Sequence, residues 1–283
     1  MTYANPDALV STEWLAAHLE APDVRVVDAS RPLSAEDRDA RAAYEARHIP
    51  GAVFFDIDEI ADSENPLPHM LPSPEKFASL VSRLGLGDGH RIIAYDSAGL
   101  YSAGRAWWMF RVFGHDDIAV LDGGLPKWLR EGRPTESGKP MPGERKFTSS
   151  MNTLLVRDLD HMKENLESRR EQVLDSRPAG RFAGTEPEPR PGLRSGHIPG
   201  SLNLPYTDIL DPDTGTLRSA DELHARVTEA GIDLDKPVIT TCGTGVTAAA
   251  LALALYLLGH GDAAVYDGSW TEWGGRDDTP VET

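Results

Sequence analysis

The sequence has one cysteine, Cys242, set between an apolar run at 238–241 and two glycines, Gly243 and Gly245, with an Ala/Leu pattern of helical type beginning near Thr247. These residue types at this spacing suit a sulfur nucleophile. Glycines let the backbone curl so that successive N–H groups point into a cradle. The helix start directs the positive end of its dipole at the same spot. The thiolate is a cysteine's reactive form, and helix N-termini are among the settings that favour it. Most free cysteines are small buried apolar residues, so the reading rests on the glycines, the helix start and the strand end together.

Other chemistry-bearing residues carry less information on their own. Arg181 and Arg190 lie in a Pro-rich loop, GRFAGTEPEPRPGLR, and His69 in a second one, NPLPHMLPSP. Taken singly they read as solvated loop charges. No H-E-x-x-H and no Cys/His cluster occurs among the nine histidines. DPDTGTLRSADE at 211–222 lacks the third acidic ligand of a calcium loop and reads as a turn entering a helix. No metal and no cofactor is expected.

Positioning Cys242 takes a strand that ends at 241 and a helix that starts just beyond, and the same pair occurs earlier in the chain. VRVVDASRP at 24–32 matches EQVLDSRPA at 171–179, HIPGAVFFDI at 48–57 matches HIPGSLNLPY at 197–206, RIIAYDSAG at 91–99 matches PVITTCGTG at 237–245, and FGHDDIAVLDGGLPKW at 113–128 matches LGHGDAAVYDGSWTEW at 258–273. Asp28 pairs with Asp175, His48 with His197, Asp96 with Cys242 and Gly114 with Gly259, at offsets of 147, 149, 146 and 145. Four blocks in one order at a near-constant offset imply two copies of one domain. The expected division is 1–136, a linker at 137–151 where Gly, Pro and charge replace periodic apolar residues, and 152–283.

Within each copy the short apolar runs VRVVDA, AVFFDI, RIIAYD and IAVLD read as buried strands. STEWLAAHLEA, SPEKFASLVSRLGL and SAGRAWWMFRVFG carry helical spacing, the first two opening on a capping Ser. Alternating strands and helices predict an α/β fold: two tandem domains, each a mainly parallel sheet flanked by helices on both faces. Ligands of such sheets sit at the carboxyl ends of strands, where both the Asp96 and the Cys242 turns fall. Asp96 in place of the thiol marks the first copy as inactive, with a turn or interface role. His48 and His197, equivalent in both copies, read as structural. Trp107, Trp108, Trp270 and Trp273 read as packing.

Hydrophobic residues make up 40% and charged residues 26%, a globular balance. A net charge of −17 argues against nucleic acid and anionic membranes as partners. One cysteine forbids an internal disulfide. No apolar run reaches spanning length; the Ala/Leu helix is too short and reads as core. No signal peptide is visible at the N-terminus, so the expected setting is the cytoplasm.

The tandem copies, the two HIPG segments, the DGG and DGSW turns and the cysteine loop resemble the two-domain rhodanese sulfurtransferases over essentially the whole chain. CGTGVT, GRFAGTEPEPR and FFDID followed by HML are most similar to the 3-mercaptopyruvate branch; the thiosulfate branch more often has a basic residue where Gly243 stands. The resemblance implies that Cys242 accepts sulfur as a persulfide, with amides of Gly243, Thr244, Gly245, Val246 and Thr247 around it. It implies that Arg181 and Arg190 bind the substrate carboxylate and keto group, and that Asp58, His69 and a loop hydroxyl form an acid–base relay. That hydroxyl is usually Ser and is Thr244 here, β-branched and more restricted at χ1. The implied partners are a small anionic sulfur donor and a thiol acceptor, such as a thioredoxin-like protein or a small thiol.

Other classes remain to be separated from this one. A thiosulfate:cyanide sulfurtransferase uses the same nucleophile. A non-enzymatic sulfur carrier would load sulfur without turning over, which the arginine pair and relay argue against. A cysteine phosphatase places Arg six positions after the cysteine, where this chain has Ala248.

Overall fold

The computed structural model describes residues 1–31, 39–140 and 142–283. Pro32, which ends the first repeated block, and Met141, inside the expected linker, lie outside the described residues. The first sheet uses β1 (Leu9–Val10), β2 (Val24–Asp28), β3 (Val53–Phe54), β4 (Arg91–Tyr95) and β5 (Ile118–Leu121). The second uses β6 (Val156–Arg157), β7 (Gln172–Asp175), β8 (Leu202–Asn203), β9 (Val238–Thr241) and β10 (Ala264–Tyr266). Their orders, β1-β5-β4-β2-β3 and β6-β10-β9-β7-β8, are the same topology, and every pairing is parallel. The central strands are buried on both faces, as a continuous apolar run requires.

The helices are α1 (Thr12–His18), α2 (Ala40–Ala46), α3 (Ile57–Ile60), α4 (Pro74–Arg83), α5 (Ala103–Val112), α6 (Gly124–Arg130), α7 (Leu159–Ser168), α8 (Ala179–Phe182), α9 (Ala220–Glu229), α10 (Val246–Leu257) and α11 (Ser269–Trp273). Ser11 and Ser73 cap α1 and α4 through the amides of Trp14 and Lys76. Ser219 and Glu222 form a capping box on α9, so the 211–222 stretch is a turn that leads into a helix.

The two copies share one core. α5 of the first packs along α10 of the second, and their side chains join a single apolar cluster that runs through both. A helix apolar on all sides needs partners on all sides; α10 meets its own sheet on one face and α5 on the other. The backbones approach closely: a Cβ on Gly104 would stand 3.0 Å from the Cα and N of Ala250. The described residues of 137–151 form neither helix nor strand, and Phe147 is buried against Phe77 and Phe110 of the first copy. No helix among the described residues is long and apolar enough to cross a membrane.

Candidate active site

β9 ends at Thr241, and Cys242 opens the turn into α10. The turn is tied down by the DGSW segment: Cys242 N–H donates to Ser269 Oγ at 3.3 Å, Trp270 N–H to the Cys242 carbonyl at 2.9 Å, and Thr271 N–H to the Gly243 carbonyl at 2.9 Å. Gly245 caps the helix with φ of 76°, in the left-handed region that favours glycine. The Thr244 amide donates to Cys242 Sγ at 3.4 Å. Thr247 Oγ1 bonds Ser176 Oγ at 2.7 Å, fixing the first turn of α10 to the end of β7. Val246 is buried at the helix start.

Transfer of sulfur to an acceptor calls for an accessible loop, and here the structure differs: Cys242 is only 2% exposed. Its side chain belongs to the apolar cluster that runs through both copies, and Arg105 of the first copy reaches the same turn, donating to the Gly245 carbonyl at 3.3 Å. Tyr101 of the first copy and Arg190 of the second are near neighbours of Cys242.

The matching turn of the first copy shows what such a loop holds. Asp96 is buried, and its carboxylate accepts five backbone N–H bonds: Oδ1 from Ala98 and Gly99, Oδ2 from Tyr101, Ser102 and Ala103, all at 2.7–2.8 Å. The strand-to-helix turn is an anion cradle, and in this copy a built-in carboxylate fills it. Gly124 in the DGG turn lets the chain pass close by; a Cβ there would meet the Asp96 carbonyl at 2.6 Å.

The two expected arginines differ in their surroundings. Arg181 at the end of α8 is already paired, its Nε and Nη2 both on the carboxylate of Glu188. Glu188 is buried and also bonds Arg177, which makes a bidentate pair with Asp175 and lies over the Trp270 ring. Burial opposes charge on Arg177, but Asp175 and Glu188 outweigh it and hold its pKa above the ordinary arginine value. Arg190 has no carboxylate partner among the described residues. Burial, then the neighbouring guanidinium of Arg31, then that of Arg181, push its pKa below the ordinary value. Arg190 therefore carries an unneutralised positive charge beside Cys242, the attractive point for an anion.

Asp58, on α3, and His69, in the loop before α4, come from the first copy. His69 Nε2 lies 3.0 Å from Asp58 Oδ1, and Arg31 Nε is 3.3 Å from Asp58 Oδ2. The hydrogen bond from His69, then the Arg31 charge, hold the Asp58 carboxyl below the usual range despite burial. Burial lowers the His69 pKa, Asp58 raises it, and Arg31 and Arg105 lower it again, with a net shift downward from the ordinary 6.5. A neutral imidazole that gives its Nε2–H to Asp58 keeps a lone pair on Nδ1. Among the described residues that buried Nδ1 has no hydrogen-bond partner, so Thr244 is not bonded to it. The structure thus joins two members of the expected relay and leaves the third unconnected.

His48 and His197 are equivalent in contact as well as in sequence. Each Nδ1 bonds a carbonyl, of Tyr44 and Phe182, and each ring stacks on that same residue. Trp107, Trp108, Trp270 and Trp273 are all buried. Sequence reasoning missed Glu188, Arg31, Tyr101, Arg105 and Asp267. Only Arg105 leaves a signal, a charge beside the apolar run Ala-Trp-Trp-Met-Phe.

The sequence pattern of the rhodanese-like domain matches residues 11–131 and again 158–276. The human 3-mercaptopyruvate sulfurtransferase is 49% identical over 272 residues, 94% of this chain and 91% of that protein. The mouse thiosulfate sulfurtransferase is 46% identical over 283 residues, 98% and 94% of the two chains. The crystal structure of SseA from Escherichia coli, described as a 3-mercaptopyruvate sulfotransferase, superposes with a TM-score of 0.85 at 40% identity, covering 93% of this chain and 98% of that one.

Proposed function

The chain belongs to the rhodanese family, and we propose that it moves sulfane sulfur from 3-mercaptopyruvate through a persulfide on Cys242 to a thiol acceptor or cyanide, releasing pyruvate. It is a sulfurtransferase like its relatives. The observation that carries the proposed route is the Asp96 cradle. In an Asp side chain the carboxylate oxygens lie one bond beyond Cγ; in a cysteine persulfide the outer sulfur lies one bond, about 2.05 Å, beyond Sγ. The turn after Cys242 is shorter, since α10 starts at Val246 whereas α5 starts at Ala103, so the amides offered to the sulfur are those of its own turn and first helical residues, Gly243 to Thr247, of which Thr244 N–H already donates to Sγ. A persulfide on Cys242 would place its terminal charge where the first copy places a carboxylate.

The chemistry balances on this chain's own groups. Arg190, with Arg181 held beside it by Glu188, receives the carboxylate of the donor. The Cys242 thiolate attacks the donor sulfur; the S–S bond forms, the C–S bond breaks, and the electron pair leaves on the enolate of pyruvate. His69 Nδ1, without a hydrogen-bond partner among the described residues, takes the donor's S–H proton and returns it to the enolate carbon, stabilised meanwhile by Asp58. The persulfide anion then passes its outer sulfur to an acceptor thiolate and restores the Cys242 thiolate. The acceptor is a small thiol or a thioredoxin-like protein, and the setting is the cytoplasm.

Overall identity does not separate the two donor classes, since relatives of both kinds align at similar levels. Gly243 favours mercaptopyruvate: a Cβ there would lie 3.3 Å from Arg181 Nη2, so a long side chain at 243 and the observed Arg181 compete for one place. The same reading divides the chain into an inactive copy, 1–136, a connecting segment, 137–151, and a catalytic copy, 152–283; the two matched segments fall inside the two copies. Turnover with the two donors at equal concentration tests the choice. Mercaptopyruvate is expected to have at least tenfold the kcat/KM of thiosulfate, and Arg190→Ala to raise its KM about tenfold or more with a smaller effect on kcat. Equal use of both donors, or an unchanged KM, contradicts the assignment.

A further inference from the structure

Arg105 is a charged side chain with no exposure, on a helix of the first copy, and the route above gives it no task. Its Nη2 donates to the His69 carbonyl and lies 2.7 Å from Asp267 Oδ1; its Nη1 donates to the Gly245 carbonyl at 3.3 Å. The guanidinium rests on the Trp108 ring, 4.4 Å from its centroid. Asp267, in the second copy just after β10, uses its other oxygen to accept the Leu71 amide at 2.7 Å. One buried ion pair thus grips the His69 loop at two points, on either side of Met70, and touches the turn that carries Cys242.

The gripped residue needs holding. His69 has φ of 63°, in the left-handed region that a side chain with Cβ disfavours. Such a conformation persists where its surroundings over-determine it, and it clusters at functional sites. The bonds on the His69 carbonyl and the Leu71 amide supply that constraint. We propose that the Arg105–Asp267 pair is a positioning device that seats His69 of the first copy against the cysteine turn of the second. The proposal rests on the reading of His69 as the proton carrier. Arg105 and Asp267 touch no reacting atom; they act through His69.

The test is a double-mutant cycle on the full chain, with 3-mercaptopyruvate as donor. Arg105→Lys keeps the charge but lacks the planar fork that reaches several acceptors. It is expected to lower kcat about tenfold and to leave KM within about twofold, because the arginines that hold the donor are elsewhere. In a His69→Ala background the same change is expected to lower kcat by less than about twofold, since the function it serves is already gone. Asp267→Asn, similar in shape, is expected to follow the same pattern and stands in if Arg105→Lys does not fold. Equal losses with and without His69, or a KM that rises in step with the fall in kcat, overturn the proposal and leave the sulfur route intact. A His69→Ala enzyme with the kcat of the unaltered chain overturns the clamp together with the relay, while sulfur on Cys242, weighed in that same variant, shows separately whether the persulfide reading survives.

Discussion

Glu188 decides what two arginines can do. Its buried carboxylate lies between Arg177 and Arg181, and without it two guanidinium groups would face each other inside the protein. Glu188→Ala is expected to cost about 3–5 kcal/mol, the penalty for breaking a buried ion pair from one side, read by urea denaturation; a loss below about 1 kcal/mol would show that solvent already reaches the cluster. The imidazole of His69 gives a second prediction at this scale. Its pKa lies below the ordinary 6.5, chiefly through burial, and Asp58 is the group that pulls it back up. Asp58→Asn is therefore expected to lower it further, seen as the midpoint of the His69 ring proton shift against pH; a rise would mean that Asp58 is not its partner. The sign carries to stability. An unfolded chain binds a proton on this imidazole near 6.5 and the folded chain only at lower pH, so His69 disfavours the fold increasingly as pH drops through that interval. The same neutral form is the base, so the acid limb of kcat is expected below 6.5 and moves lower still in Asp58→Asn.

The elements that deliver these residues are two strand–turn–helix units, β4–α5 and β9–α10, one from each copy. Gly104 sets how closely the helices pass. Gly104→Val forces a Cβ to within 3.0 Å of the Ala250 backbone before its methyls are counted. Overpacking of this kind typically costs about 1–3 kcal/mol, and here it also pushes Arg105, the next residue, away from the cysteine turn. A lowered melting temperature together with a lowered kcat is expected; full activity at the lowered melting temperature would uncouple the helix contact from the site. Much of this scale was legible in the sequence, because the apolar runs at 91–95 and 238–241 and the helical patterns after them have the periodicity of what they form. The two-residue strands β1, β6 and β8 and the short helices α2, α3, α6, α8 and α11 were harder to see, being brief and without a clear period, whereas β3 falls inside the apolar run AVFFDI. Cys242, Asp58, His69, Arg181 and Arg190 were nameable through motif resemblance. Glu188, Asp267 and Arg31 were not, since a charge that meets its partner through tertiary packing looks in sequence like any surface charge.

As a whole molecule the protein spreads one proposed reaction over two copies of a domain. The second copy supplies the sulfur nucleophile and the anion-binding arginines, and the first supplies Asp58, His69, Tyr101 and the buried Arg105. On this proposed division the first copy is also structural: its helix α5 forms part of the shared core, and its Arg105 reaches the cysteine turn at the Gly245 carbonyl. Cys242 itself is 2% exposed and belongs to the apolar cluster that both copies share. The claim on which this account turns is that sulfur is carried covalently on that one residue. Intact-mass measurement after a brief exposure to 3-mercaptopyruvate, with no acceptor present, tests it most directly. The account predicts a gain of one sulfur atom on the unaltered chain, matched by one equivalent of pyruvate, and neither on Cys242→Ser. Pyruvate released in repeated turnovers by Cys242→Ser, or an added sulfur that persists without Cys242, would contradict it.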